Sequence, residues 1–364
     1  MSKKISAAAL ILSFLIVGVI FFLLNGMETK TEASKKSIGF LIPGSKDEEG
    51  WNNFQYQGAK SAVDDLGVEL LLVENIKESA DVLEHAVDSL VREGVEMIIF
   101  GSYNYPLLMV DYMKAHPAVS FYGISNDLQI ENFVAFSVRA YQARFISGVI
   151  AALHSESGKI GYVAAMKNTE VIRGINAFAL GARRINPKAE VVVAWTNSWD
   201  DEQVEKANVD KLVKGAGVDV VAYHQNRTFV PEEAEALGVK SVAYGMYKPK
   251  FSEKVLASTV SNWGKAYREI IQDYLQRKDG VNNYWLGIEK DAVGVAFFSS
   301  LVSDSSRSVV EGFMTSMKNG MDVFVGPIYD NHKKKRCEKD ELISDNILRD
   351  EMDWLVEGVS EYEN

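Results

Sequence analysis

The stretch YQARFISGVIAALHSESGKIGYVAAM, residues 141–166, decides the architecture: a helical segment, Tyr141–Glu156, passes through Ser157-Gly158 into an apolar strand, Lys159–Met166. Ahead of it, five apolar runs bounded by turn residues read as strands: Ile38–Pro43, Val68–Glu74, Met97–Ser102, Val119–Ser125 and Phe133–Val138. From Lys159 the pattern begins again, with Glu190–Thr196, Val218–Gln225, Val239–Gly245 and Val255–Val260 following. Helical stretches separate the runs; in the one before the third strand, Val82, Ala86, Leu90 and Val91 share a face. Strand–helix alternation of this kind marks parallel βαβ units. The expectation is two similar α/β lobes, each a parallel sheet flanked by helices, with Tyr141–Glu156 as the helix between them.

After Asn262 come a helix to about Arg277, two short strands (Trp285–Glu289 and Val293–Phe298) and a helix, Ser305–Asn319. These are too few strands for a third domain, so they are expected to complete the first lobe. Lobe 1 then comprises about 38–140 plus 263–330, lobe 2 about 141–262, and the tail 331–364. A chain that crosses between lobes more than once suits a hinged receptor that closes on a ligand. In the tail, Lys333–Arg336 reads as a solvated basic loop, Cys337 as an inert surface thiol, and Leu342, Ile347, Met352, Leu355 and Val359 as a terminal helix or packed tail.

Ala7–Leu24 is apolar apart from Ser13 and lies behind Lys3 and Lys4. At about 1.5 Å per residue it reaches about 27 Å, enough to cross a thin hydrocarbon core with the lysines held in the cytoplasm. A lipid-modified cysteine is excluded here because the single cysteine is Cys337. Cleavage after Ala33, with Thr31 at −3, is a poor match to a small-x-small site, so an uncleaved anchor is the preferred reading. The expectation is a single-pass cell-membrane protein: residues 1–6 cytoplasmic, 7–24 spanning, 25–37 a flexible tether, and 38–364 an extracytoplasmic ligand-binding domain.

A net formal charge of −11 argues against a nucleic-acid surface, which needs a basic field. One cysteine leaves no internal disulfide, so stability comes from packing a large core. No Gly-x-Ser-x-Gly elbow, His-Glu-x-x-His, Walker loop or Cys/His metal spacing is present. No catalytic residue, metal or cofactor is therefore expected, and the class is a binding protein.

A parallel sheet collects ligand groups at the C-terminal ends of its strands. After the first strand, Trp51 could stack on a flat ligand and Asn52 could offer a donor and an acceptor; alternatively Trp51 plugs the loop against the sheet and Asn52 caps the helix. Ser102 and Tyr103 supply a hydroxyl and a ring, or pack the turn before Pro106. Asn126, in Ser125-Asn126-Asp127, reads equally as turn or contact. In the second lobe the matching positions are Met166, Trp199-Asp200-Asp201, His224-Gln225-Asn226 and Gly245-Met246-Tyr247-Lys248. Asp200 or Asp201 is expected as a helix N-cap. His224, Gln225 and Asn226 end a buried strand and need partners, from a ligand or from lobe 1.

These residues carry a resemblance over about Ile38–Val359. Gly50-Trp51-Asn52-Asn53-Phe54-Gln55-Tyr56-Gln57-Gly58, Phe145-Ile146-Ser147-Gly148-Val149-Ile150-Ala151-Ala152, Ala177-Phe178-Ala179-Leu180-Gly181-Ala182, Gly326-Pro327 and Met352–Val359 resemble, in order and spacing, the basic membrane protein (PnrA-like) family of ABC-importer substrate-binding proteins. The resemblance implies a type I periplasmic-binding-protein-like fold, a nucleoside-like ligand between the lobes, and permease subunits as partners. Trp51 and Asn52 would serve the base. The family's ribose-binding acid falls near Tyr247 or Lys248, beside Met246; its lysine falls on Ser261, and the aromatic residue before Gly-Phe-x-x-Gly falls on Gly174. Trp199-Asp200-Asp201 and Ser258–Tyr267 are similar to the Med-like branch of competence regulators. Two functions follow as expectations: a membrane-anchored solute-binding protein taking a small polar ligand, or a Med-like regulator acting without transport.

Overall fold

The computed structural model describes residues 36–48, 50–124, 128–245, 252–278 and 283–362. The expected anchor Ala7–Leu24, nearly all of the tether, and the candidates Asn126 and Met246 lie outside the described residues. Among the described residues no helix is long and apolar enough to cross a membrane.

The strands are β1 (Ser37–Leu41), β2 (Glu69–Val73), β3 (Met97–Phe100), β4 (Ser120–Ile124), β5 (Phe133–Val138), β6 (Lys159–Ala164), β7 (Glu190–Trp195), β8 (Val220–His224), β9 (Lys240–Tyr244), β10 (Val255–Ser261), β11 (Asn283–Leu286), β12 (Val293–Phe298), β13 (Ile328–Tyr329), β14 (Lys335–Cys337) and β15 (Val359–Glu361). One sheet has the order β11-β5-β4-β3-β1-β2 and is parallel throughout. The other runs β12-β10-β9-β8-β6-β7-β15. Every residue of β3 and β8 is buried, as in strands covered by helices on both faces. The helix Ala80–Arg92 buries Leu83, Val87 and Leu90, while Val82, Ala86 and Val91 flank that stripe half-buried. The expected face is thus displaced by a residue, because Leu83 and Val87 complete an i, i+4, i+7 stripe with Leu90 that reaches deeper into the sheet.

Two expectations about the later strands are corrected. β12 does not complete lobe 1: it pairs antiparallel with β10, which also makes the second sheet mixed. The reversal is local. β11 ends at Leu286, the short 3₁₀ turn Ile288–Lys290 follows, Asp291 takes a left-handed conformation, and Ala292 N–H closes on the Gly287 carbonyl. The chain is thereby returned to the second sheet, where Asn262 N–H donates to Ala292 O. The tail follows the packed alternative rather than a terminal helix: Met352, Leu355 and Val359 are buried, while Leu342 is exposed. It makes an antiparallel β13–β14 hairpin, a short π-turn at Ile347–Glu351, and β15, which extends the second sheet parallel to β7. The wholly buried Asn176 holds it, donating to Trp354 O and accepting from Val356 N–H.

The basic run is not wholly solvated: Arg336 pairs with the buried Asp330 at 2.8 Å and lies over the Trp354 ring. Cys337 is buried rather than on the surface. Its thiol donates to Glu341 O, and burial raises its pKa, which keeps it unreactive.

Between the sheets the helix Ala140–His154 is buried without a break from Tyr141 to Ala151, as a helix packed on all sides must be. Its Gly148 faces the Phe178 carbonyl of the helix Thr169–Ile185, and Gly181 of that helix faces the Phe145 carbonyl. The two backbones approach at both glycines, and this reciprocal contact fixes lobe 2 on the connecting helix.

Candidate functional site

The polar residues at the strand ends meet different fates. Trp51 opens the helix Trp51–Leu66; its indole N–H donates to Gly101 O at 2.8 Å, and its ring stands edge-on to Trp263 at 5.5 Å. This bond ties the β1 loop to the end of β3. Trp51→Phe, which removes the indole donor and keeps a ring, is expected to cost about 1 kcal/mol in a urea melt of the full chain.

Asn52 is not the helix cap, since Gly50 holds that position at φ 120°. Its Nδ2 donates to Glu48 at 2.5 Å, and its Oδ1 is buried without a partner. Ser102 donates to Glu78 at 2.5 Å and receives Asn104 N–H, while the Asn104 amide reaches the other Glu78 oxygen. Glu78, which the sequence reading missed, thus saturates that hydroxyl. Tyr103 is 46% exposed; burial of part of the phenol, together with the charges of Asp350 and Glu170, raises its pKa.

In the second lobe, β8 ends in His224, whose ring packs against Trp199 at 5.9 Å and Tyr244 at 5.5 Å. Burial, reinforced by the charges of Arg144 and Arg173, holds its pKa well below the ordinary value, so the imidazole is neutral. Its Nδ1 has no partner. Gln225 Nε2 donates to Thr196 at 2.8 Å, and its buried Oε1 is also without a partner. Asn226 is exposed; its N–H binds Trp199 O, and its carbonyl lies 3.6 Å from where a β-carbon of Gly50 would stand. The rims of the two lobes touch at this point. Ser261 lines a separate open pocket of about 250 Å³ with Phe54, Gln57 and Trp263.

Asp201 is the N-cap of the helix Glu202–Asp210, its carboxylate accepting Val204 N–H at 3.1 Å, while Asp200 pairs with Arg227. Sequence reasoning passed over Arg144, 2% exposed in the connecting helix, whose Nη1 donates to Tyr223 O at 2.7 Å and whose guanidinium lies 3.0 Å over the Tyr244 ring. The signal was a charge inside the apolar run Ala143-Arg144-Phe145-Ile146. Among the described residues no cluster of His, Cys, Asp or Glu could hold a metal ion.

Two α/β lobes, joined by three connections and carrying polar and aromatic groups at their strand ends, have the architecture of a two-lobe solute-binding protein. The family model for ABC transporter substrate-binding proteins of the PnrA-like (Bmp) type matches residues 35–319, and the chain belongs to that family, whose members bind solutes rather than transform them. A purine-binding protein of Brucella abortus is 30% identical over 93% of this chain and 97% of its own length. The transcriptional activator protein Med of Bacillus subtilis is 23% identical over 83% and 95%. The crystal structure of a transcriptional activator of the comK gene from Bacillus halodurans shares the fold, with a TM-score of 0.70 and 21% identity over 78% of this chain and 98% of that one.

Proposed function

We propose that this protein is the membrane-anchored, extracytoplasmic solute-binding component of an ABC-type importer, and that it closes its lobes on a purine or purine nucleoside. The observation that carries the reading is a set of buried polar atoms without partners on both sides of the lobe junction: Asn52 Oδ1 in lobe 1, His224 Nδ1 and Gln225 Oε1 in lobe 2. Native proteins rarely leave such groups unpaired, and a polar ligand would satisfy them. Similarity to the Brucella purine-binding protein over nearly the whole chain supports the choice of solute. Ala7–Leu24 would keep the receptor at the membrane, and permease subunits would be its partners.

The test is thermal unfolding of the full chain in detergent against nucleobases, nucleosides and sugars. A ligand at 100 times its dissociation constant should stabilise the fold by about 2.7 kcal/mol. Absence of any shift at millimolar ligand would remove the receptor reading.

A second reading, a Med-like regulator, is supported by the Bacillus subtilis relative and by Gly174 and Ser261 at positions where the wider family is expected to carry an aromatic residue and a lysine. Under it, a deletion strain would take up purines normally and change its transcription.

A further inference from the structure

Arg144 and His224 lie together at the C-terminal ends of β8 and β9 with more hydrogen-bonding capacity than the protein uses. Arg144 commits Nη1 to the Tyr223 carbonyl and its face to the Tyr244 ring, leaving Nε and Nη2 buried and without partners. No carboxylate pairs with it among the described residues. A buried guanidinium with two idle N–H groups is costly unless something else supplies acceptors. Those two groups lie along one edge and point the same way, a fork that fits two adjacent acceptor atoms.

Gly174 leaves room beside that edge. A β-carbon there would stand 3.5 Å from His224 Nδ1 and 3.7 Å from Arg144 Nε, so a single methyl would fill the space at ordinary contact distance. A ligand would reach this edge if the rims at Gly50 and Asn226 part.

Building on the purine reading above, we propose that the Nε–Nη2 edge of Arg144 selects the base: it takes O6 and N7 of a 6-oxopurine such as hypoxanthine, and rejects adenine. An arginine carries only donors. The 6-amino group of adenine would set a donor against a donor, whereas the O6/N7 edge of an oxopurine presents two acceptors. His224, the other nitrogen-bearing wall of the gap, is uncharged and can meet the remaining edge as donor or acceptor according to its tautomer.

The experiment is calorimetric titration of the full chain in detergent with hypoxanthine, adenine and, as a carboxylate arm, benzoate. Wild type is expected to bind hypoxanthine about 10- to 100-fold more tightly than adenine. Arg144→Met should abolish that preference. Gly174→Ala should weaken hypoxanthine by about 10-fold or more while leaving Arg144 in place, because the methyl occupies the gap. That variant adds a helix-favouring residue at a tolerated contact distance, so its melting temperature should be kept or raised, which separates lost binding from lost folding. Equal affinity for the two bases, or a preference for adenine, overturns the selectivity and leaves the purine receptor standing. Arg144-dependent binding of benzoate tighter than that of hypoxanthine overturns the oxopurine assignment in favour of an acid. Failure of every purine to bind overturns both the receptor reading and this one.

Discussion

Gly148→Ala is expected to destabilise the protein by about 3 kcal/mol or more, at the upper end for an overpacked core. The added methyl would be driven into the Phe178 carbonyl, with Ala182 N close behind. Both are backbone atoms of a buried helix, so no side chain can rotate away and the two helices must separate. Separation would also open the reciprocal contact between Gly181 and the Phe145 carbonyl, so Gly181→Ala should behave alike. The matched control is Gly312→Ala in the helix Asp304–Lys318, where a β-carbon meets nothing within 4 Å. There alanine should stabilise by about 0.5–1 kcal/mol through helix propensity alone. Urea midpoints of the full chain check all three; a Gly148→Ala midpoint equal to wild type would refute the close approach.

Glu205→Gln should stabilise the protein at pH 8 and do little at pH 5. Glu205 is wholly buried in the helix Glu202–Asp210, one oxygen accepting the Asp201 N–H and the other without a partner. Burial, with the neighbouring Asp200 and Asp201 charges, pushes its pKa to about 7, against a smaller lowering by the Asp201 N–H bond and Arg227. A carboxyl whose folded pKa lies above its unfolded value favours the native state when protonated. Its contribution is full below the unfolded pKa near 4.5 and is lost as pH rises through about 7. A shift of this size corresponds to about 3 kcal/mol, which the neutral amide would recover at high pH. Melting temperatures of wild type and Glu205→Gln between pH 5 and 8 give the test: curves that stay parallel over that range would show that Glu205 titrates normally.

Much of the fold was legible because hydrophobic periodicity is local. The ten strands expected up to Val260 all occur, within a few residues at each end, and the Asp201 N-cap follows from a short polar side chain just ahead of a helical run. The site was legible only in outline. Strand ends pointed to Trp51, Asn52 and His224-Gln225-Asn226, but not to which of them keep hydrogen-bonding capacity. Trp51 is committed to the Gly101 carbonyl and Ser102 to Glu78, whereas Asn52, His224 and Gln225 each keep an unused atom.

By itself the sequence determined two successive α/β lobes with polar strand ends, because alternation of apolar residues and turn chemistry act over a few neighbouring residues. Only the tertiary structure decided which sheet receives β12 and β15, since a short apolar strand carries no label for its partner and the turn at Ile288–Lys290 sets its direction. It also decided that Gly148 and Gly181 are contact points while Gly312 is not, and that Arg144 reaches Tyr223 and Tyr244 across 79 and about 100 residues of chain. These are contacts between distant segments, and the free energy that selects them exists only once the segments are packed.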